Sequence, residues 1–368
     1  MIAVTRAEEV TAKLDRTRTF LAEKALDAVV LATRANFAWL TAGGSSHVGL
    51  GSETGVGWLV VTPEGQRLLT NNIEAGRFED EEIGDLPFEI HYMQWDEEDR
   101  REMLESLASG RIGADVPLTF AEDVSEDFNR LRWRLMEPEI ERYREVGRIA
   151  SEAIAETGRE IKPGMTEHEI AGLMMQKVFT AGAQPVVALI AADQRAMLYR
   201  HPIPTDKQLD RHVMLVIGAS KWGLGISATR MVHFGQPPAE LREKHAACCF
   251  VDAAFNLETR PGAEVAQVFR AGIAAYEEAG FGDEWRLHHQ GGATGYAPRD
   301  YKGTLDCEER VLADQAFAWN PSIAGTKSED TIIAREDGPE LLSQPAGWPT
   351  LDVTYKGTTL QRPDILVR

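Results

Sequence analysis

One run constrains this chain more than any other. His212-Val213-Met214-Leu215-Val216-Ile217-Gly218-Ala219 is almost wholly apolar and reads as a buried strand. It leads through Lys221-Trp222-Gly223-Leu224-Gly225 into Ile226-Ser227-Ala228-Thr229-Arg230, a second strand paired with the first. Helical patterns stand before this pair. A long helix begins near Glu139, carries Val146, Ile149, Ala150, Ala153, Ile154 and Thr157 on one face, and stops near Lys162-Pro163-Gly164. Thr166 and Glu169 form a capping box for the next helix, whose buried stripe is Ile170, Leu173, Met174 and Val178. Arg260-Pro261-Gly262 repeats the form of Lys162-Pro163-Gly164: a helix ends, a basic-Pro-Gly turn follows, and another helix starts. That echo suggests a duplicated layout.

The N-terminal part alternates differently. A helix is predicted over 6–24, a strand over Leu26–Ala32, and a hairpin at Gly57–Val61 with Thr62-Pro63-Glu64-Gly65 as its turn. Strands at 88–95 and 111–116 and helices at 97–109 and 120–134 complete a compact α/β unit. The boundary falls near 135, giving domains 1–135 and 136–368.

With 39 Lys and Arg against 58 Asp and Glu, the chain carries −19. That disfavours nucleic acid and anionic membranes as partners. No apolar run is long enough for a membrane span, and the charged amphipathic N-terminus is not a signal peptide. Cys248 and Cys249 are adjacent on a predicted helix and Cys307 stands alone, so no paired framework exists and a reducing cytoplasm is expected. His245, one helical turn before Cys249, reads as helix packing.

Five segments stand in a telling order: IKPGMTEHEIA, RHPIPTD, the strands ending in Thr229-Arg230, HHQGGATGY and SEDTIIAREDG. Together they resemble the creatinase, prolidase and aminopeptidase P family. The resemblance implies an α+β protein: a C-terminal pita-bread fold behind an N-terminal α/β domain of creatinase type. Asn36-Phe37-Ala38-Trp39-Leu40-Thr41-Ala42-Gly43 resembles the turn after the first strand of such N-terminal domains. Homodimers are implied in the same way. Metal-dependent members carry Asp, Asp, His, Glu and Glu as ligands of two ions. Here those places align with Val216, Ala228, His289, Asn320 and Glu329. Valine and alanine offer no donor atom and asparagine only a neutral oxygen, so no two-metal centre and no cofactor is expected.

The resemblance places His201, in Tyr199-Arg200-His201-Pro202, where creatinase has its proton-shuttling histidine, and an imidazole suits that work. His289 would orient the scissile group or a water, beside Gly291 and Gly292, which let a ligand approach the backbone. Glu329 would anchor a cationic group, and Tyr296, Asn320 and Arg230 are candidate substrate contacts, although Arg230 also reads as a structural partner of Glu329. Trp222 and Trp319 are expected in the core, and Arg299 on a surface loop. Three functions follow for a small-molecule partner. The first is a metal-independent hydrolase of a C–N bond in an amino-acid-like or amidine-like substrate. The second is a non-catalytic ligand-binding or interaction module. The third is a metal-dependent Xaa-Pro dipeptidase or aminopeptidase, which requires the alignment to be wrong at Val216 and Ala228.

Overall fold

A computed structural model describes residues 4–97 and 99–368. It divides into two compact units, 1–139 and 140–368, with the division inside the helix Glu137–Glu160.

In the first unit, β1 (Ala28–Thr33), β2 (Thr54–Val61), β3 (Gln66–Asn71), β4 (Glu89–Met93), β5 (Ile112–Ala114) and β6 (Glu122–Asp123) form one sheet ordered β4-β3-β2-β1-β5-β6. The β2–β3 hairpin closes at Thr62–Gly65, the predicted turn, with Thr62 N–H donating to the Gly65 carbonyl at 2.8 Å. The helix Arg6–Lys24 opens with a Thr5–Glu8 capping box and buries Val10, Leu14, Phe20 and Leu21. Lys13 on the same helix is fully buried because Glu9 at 2.6 Å, Glu139 at 2.8 Å and the Trp39 carbonyl at 2.8 Å satisfy its ammonium. Two segments differ from expectation. Arg34–Leu40 is a helix rather than part of a turn, since the Asp115 carboxylate fixes the Ala32 and Thr33 amides and Thr33 caps the Asn36 amide. The region 120–134 is a two-residue strand, a short helix Ser125–Asn129 and a single 3-10 turn, because Gly113 and Ala114 recruit Glu122 and Asp123 into the sheet.

In the second unit, β7 (Gln184–Ala192), β8 (His212–Lys221) and β9 (Leu224–His233) form an antiparallel series, to which β19 (Leu366–Val367) adds in parallel. A second sheet runs β11-β10-β12-β15-β16, built from β10 (Gly291–Thr294), β11 (Tyr301–Lys302), β12 (Ala316–Trp319), β15 (Asp330–Ile333) and β16 (Glu340–Leu341). Two separate two-stranded pairs complete the unit: the short hairpin β13 (Ser322–Ile323) with β14 (Thr326–Lys327), and the ribbon β17 (Thr350–Tyr355) with β18 (Thr358–Pro363). The helix Glu137–Glu160 buries all six residues of its predicted stripe. In the helix Glu167–Thr180 the Thr166–Glu169 capping box is present; Ile170, Met174 and Val178 are buried and Leu173 only partly.

The echo is a true structural repeat. Gly164 and Gly262 both take positive φ (91° and 84°), which is where glycine alone is unstrained. Gly164 N–H donates to Leu209 O and Gly262 N–H to Val311 O, each at 2.8 Å. Thr166 then bridges Gln208 as Glu264 bridges Arg310, and each turn starts a helix, Glu167–Thr180 or Val265–Glu278. One main-chain clasp therefore launches each half.

A buried ion network ties the second unit together. Arg230 binds Asp330 at 2.7 Å, and Arg362 binds Asp330 at 2.6 Å and also Asp252, all with side chains fully buried. Trp319 is fully buried and stacks on Phe255 at 4.7 Å, as expected of a core residue. Trp222 is not in the core: it sits half-exposed at the β8–β9 turn with φ of 55°, under the Lys221 ammonium.

Candidate functional site

The strand registers bring most of the aligned positions together. Val216 lies opposite Thr229 on the β8–β9 pair, and Thr229 bridges to Glu329, its amide donating to the Glu329 carbonyl at 3.1 Å. Trp319 lies opposite Asp330, so Asn320 and Glu329 follow as neighbours at the ends of β12 and β15. The Asn320 amide donates to the Gln290 carbonyl at 3.1 Å, which seats His289 beside them. Ala228 is the exception. It lies opposite Ile217, and side chains one residue apart on a strand point to opposite faces, so it faces away from Val216. Ser227, opposite Gly218, shares the face of Val216 and Thr229, and Ser227 rather than Ala228 holds the second aligned place.

Glu329 is 3% exposed and already partnered. Lys327 places its ammonium 2.8 Å from Glu329 Oε2, and Thr229 donates its hydroxyl to the same oxygen at 2.7 Å. Burial alone would raise the Glu329 carboxyl; the charge and hydrogen bond of Lys327, the Thr229 hydroxyl and the charge of Arg299 reverse that and lower it. Lys327, itself 3% exposed, escaped the sequence reading. Its signal was present: residues two apart on an extended strand share a face, so a lysine two before Glu329 must reach it.

Three histidines gather next to this pair. His288 Nε2 lies 3.0 Å from His201 Nε2, and the nitrogens of His201, His288 and His289 come within 4.8 Å of one another. His288, 8% exposed, is pushed down to about 2 by burial and then by the charges of Lys327, His289 and His201. His289 falls to about 4 through burial and the charges of Arg299, His201, Lys302 and Lys327. His201, the most exposed of the three, is lowered by burial and Lys327, with Glu329 opposing. His288 and His289 are therefore neutral near pH 7.

The remaining candidates separate. Asn320 is buried, and its Oδ1 has no hydrogen-bond partner among the described residues. Tyr296 is buried in the turn after β10. Arg230 is not available to a ligand: it is fully buried, and its guanidinium is spent on Asp330, the Ser343 carbonyl and main-chain oxygens. It is not the partner of the Glu329 carboxylate either, a place Lys327 takes. Arg299 is not a surface residue, since its Nη1 donates to the carbonyls of Gly292 at 2.8 Å and Ala318 at 2.9 Å. Cys248 and Cys249 are buried, burial raises both thiols (Cys249 to about 12), and they are inert at neutral pH. His245 packs as expected, between Thr326 Oγ1 at 2.6 Å and the Pro363 carbonyl at 2.9 Å.

Comparison with known proteins decides the family. Residues 141–336 match the metallopeptidase family M24, and residues 13–146 match the creatinase/prolidase N-terminal domain. The chain belongs to family M24. It is 23% identical over 347 residues to an Xaa-Pro dipeptidase of Pyrococcus horikoshii, covering 88% of this chain and 95% of that one. An Xaa-Pro dipeptidase from Bacillus anthracis shares the fold with a TM-score of 0.78 at 17% identity, over 98% of this chain and all of the other. An X-Pro aminopeptidase from Thermotoga maritima does so with a TM-score of 0.75 at 19% identity, over 96% and 99%. The M24 chain thus has the pita-bread fold with a creatinase-type N-terminal domain. Among its described residues, no helix is long and apolar enough to cross a membrane.

The residues at the aligned places of this M24 chain do not fit the two-ion centre that the resemblance implies for metal-dependent members. Val216 packs with Met214 and Met231 in an apolar cluster, Ser227 and Asn320 bring no charge, and the one carboxylate, Glu329, is neutralised by a lysine. A single imidazole-preferring ion is the most that His201, His288 and His289 could hold. The positive charges of Lys327 and Arg299 oppose even that.

Proposed function

We propose that this protein hydrolyses a C–N bond in a small amide-containing or amino-acid-like substrate without its family's two-ion centre, with His201 as the proton carrier. The observation behind this reading is the contact between His201 and His288 at 3.0 Å beside the Lys327–Glu329 pair. His288, held neutral by burial, engages His201 Nε2 and orients the ring, leaving Nδ1 to exchange a proton. Water adds to the substrate carbon while Nδ1 takes its proton; the C–N bond then breaks as that proton passes to the departing nitrogen. A neutral His289 and the Asn320 amide supply hydrogen bonds to the scissile group. No step is assigned to Arg230, which serves the fold.

A second reading, a metal-dependent Xaa-Pro dipeptidase, is favoured by the names of the relatives and disfavoured by the donor set. The test is turnover by the full chain on Xaa-Pro dipeptides, N-acyl amino acids and amidines, after chelation and again with manganese or cobalt. Activity that survives chelation and disappears in His201→Ala, with folding intact, supports the proposal. Activity only with added metal would restore the dipeptidase reading. Ligand binding with no turnover on any substrate would mark a non-catalytic binding module.

A further inference from the structure

Glu329, the carboxylate left among the aligned places, is met by a cation, Lys327, and this changes what the centre can bind. Lys327 has three N–H donors; among the described residues Glu329 is the carboxylate within reach, and it engages Lys327 through Oε2. The same oxygen also accepts from Thr229, so the carboxylate meets its cation and a hydroxyl at once. The charges acting around the three imidazoles are Lys327, Arg299 and Lys302 on the positive side and Glu329 on the negative, with Asp300 acting on Arg299. Positive charge is in excess. The imidazoles of His201, His288 and His289 stand together beside it, with ring N–H groups to donate. Asn320 adds a buried side-chain amide whose Oδ1 lacks a partner among the described residues and whose Nδ2 can donate.

We infer that the centre binds an anionic oxygen group, a substrate carboxylate, on the Lys327 ammonium, and that it rejects the cationic group expected of Glu329 from sequence. Where the metal-dependent members hold divalent cations among carboxylates, this chain presents a buried ammonium to an anion. A carboxylate reaching Lys327 gains a charge-assisted hydrogen bond inside a site with little water to compete. An amidine or guanidinium would instead meet the excess of positive charge from Lys327, Arg299 and Lys302 around the imidazoles. The inference names the substrate class for the proposed hydrolase and so rests on that reading for its biological use, though binding can be measured apart from turnover.

The experiment is calorimetric titration of the full chain at neutral pH with N-acetylglycine, acetate and acetamidine. The proteins are the natural chain, Lys327→Arg and the double variant Lys327→Met with Glu329→Gln, which removes both charges and leaves none stranded. N-acetylglycine should bind the natural chain, keep most of its affinity in Lys327→Arg, and bind the double variant at least about tenfold more weakly; acetamidine should not bind. Equal affinity of N-acetylglycine for the natural chain and the double variant overturns the inference. So does saturable binding of acetamidine, or no binding of either carboxylate at tens of millimolar. His201→Ala separates the two claims. It should still bind N-acetylglycine through the Lys327 ammonium, more weakly by the loss of one imidazole N–H; if it also turned over substrate, the proton-carrier reading would fail while the anion site stood.

Discussion

Removing the Lys327 ammonium alone should destabilise the second unit severely, and removing it together with the Glu329 charge should not. The pair is 2.8 Å apart with side chains 3% and 4% exposed. Breaking a buried ion pair on one side costs about 3–5 kcal/mol, because the surviving charge has lost its compensation. In Lys327→Met the Thr229 hydroxyl still donates to Glu329 and Arg299 still contributes its charge, so the low end applies, about 3 kcal/mol. That is more than a hundredfold in the folding equilibrium. With Glu329→Gln added, the amide can still accept from Thr229 and no ion is stranded, so the double variant should lie within about 1 kcal/mol of the natural chain. A chain of two units need not unfold in one step, so the probe has to be local. Cys248 and Cys249 are fully buried in the second unit, whereas Cys307 is partly open. Pulsed thiol labelling across a urea series, with the Cys307 background subtracted, therefore reports unfolding of that unit. A single variant within about 0.5 kcal/mol of the natural chain, or a double variant worse than the single, would mean that Lys327 does not serve Glu329.

Acid should weaken the same unit through His288. Its folded value near 2 lies below the ordinary 6.5, so as pH falls past 6.5 the unfolded chain gains a proton that the folded chain refuses. Stability is full above that point and declines below it, by about 2 kcal/mol at about pH 5, a figure insensitive to the folded value while that stays below 4. His288→Gln should show that much less acid sensitivity in the labelling assay; unchanged sensitivity would place the effect elsewhere. Gly147→Ala should cost about 1–3 kcal/mol, because a Cβ there would lie 2.1 Å from the Leu342 carbonyl oxygen, a main-chain atom that cannot swing away. A fully stable variant would mean that this helix does not pack as closely as described.

What the sequence could and could not reveal divides along physical lines. The capping box at Thr166, the helix stripe from Val146 to Thr157 and the paired Pro-Gly turns were legible because each is a local pattern with one structural solution. The helix Arg34–Leu40 was not, since it depends on Asp115 from a distant strand. At the site, the order of the motifs located Val216, His289, Asn320 and Glu329, but placed the second position at Ala228. A slip of one residue is invisible in an alignment and decisive in a strand, where it exchanges the faces. Lys327 is hidden for another reason: its charge is opposite to that of the ligands to which the motif order points. The gathering of His288 with His201 joins two loops far apart in sequence, and no local pattern announces it.

The buried network around Arg362 has a consequence for how the chain comes to be folded. Arg362 lies 110 residues after Asp252 and 32 after Asp330, yet it supplies the cation that both carboxylates share. A growing chain exposes Asp252, on the helix Ala239–Glu258, long before that cation has been made. Until then the Asp252 helix cannot settle into the apolar interior without stranding a charge. The halves launched by the two clasps can form their local turns as they emerge, but the interior they enclose must wait. The second unit should therefore complete its core only after residue 362 is free to reach back, and chains stalled short of it would remain open and dependent on chaperones.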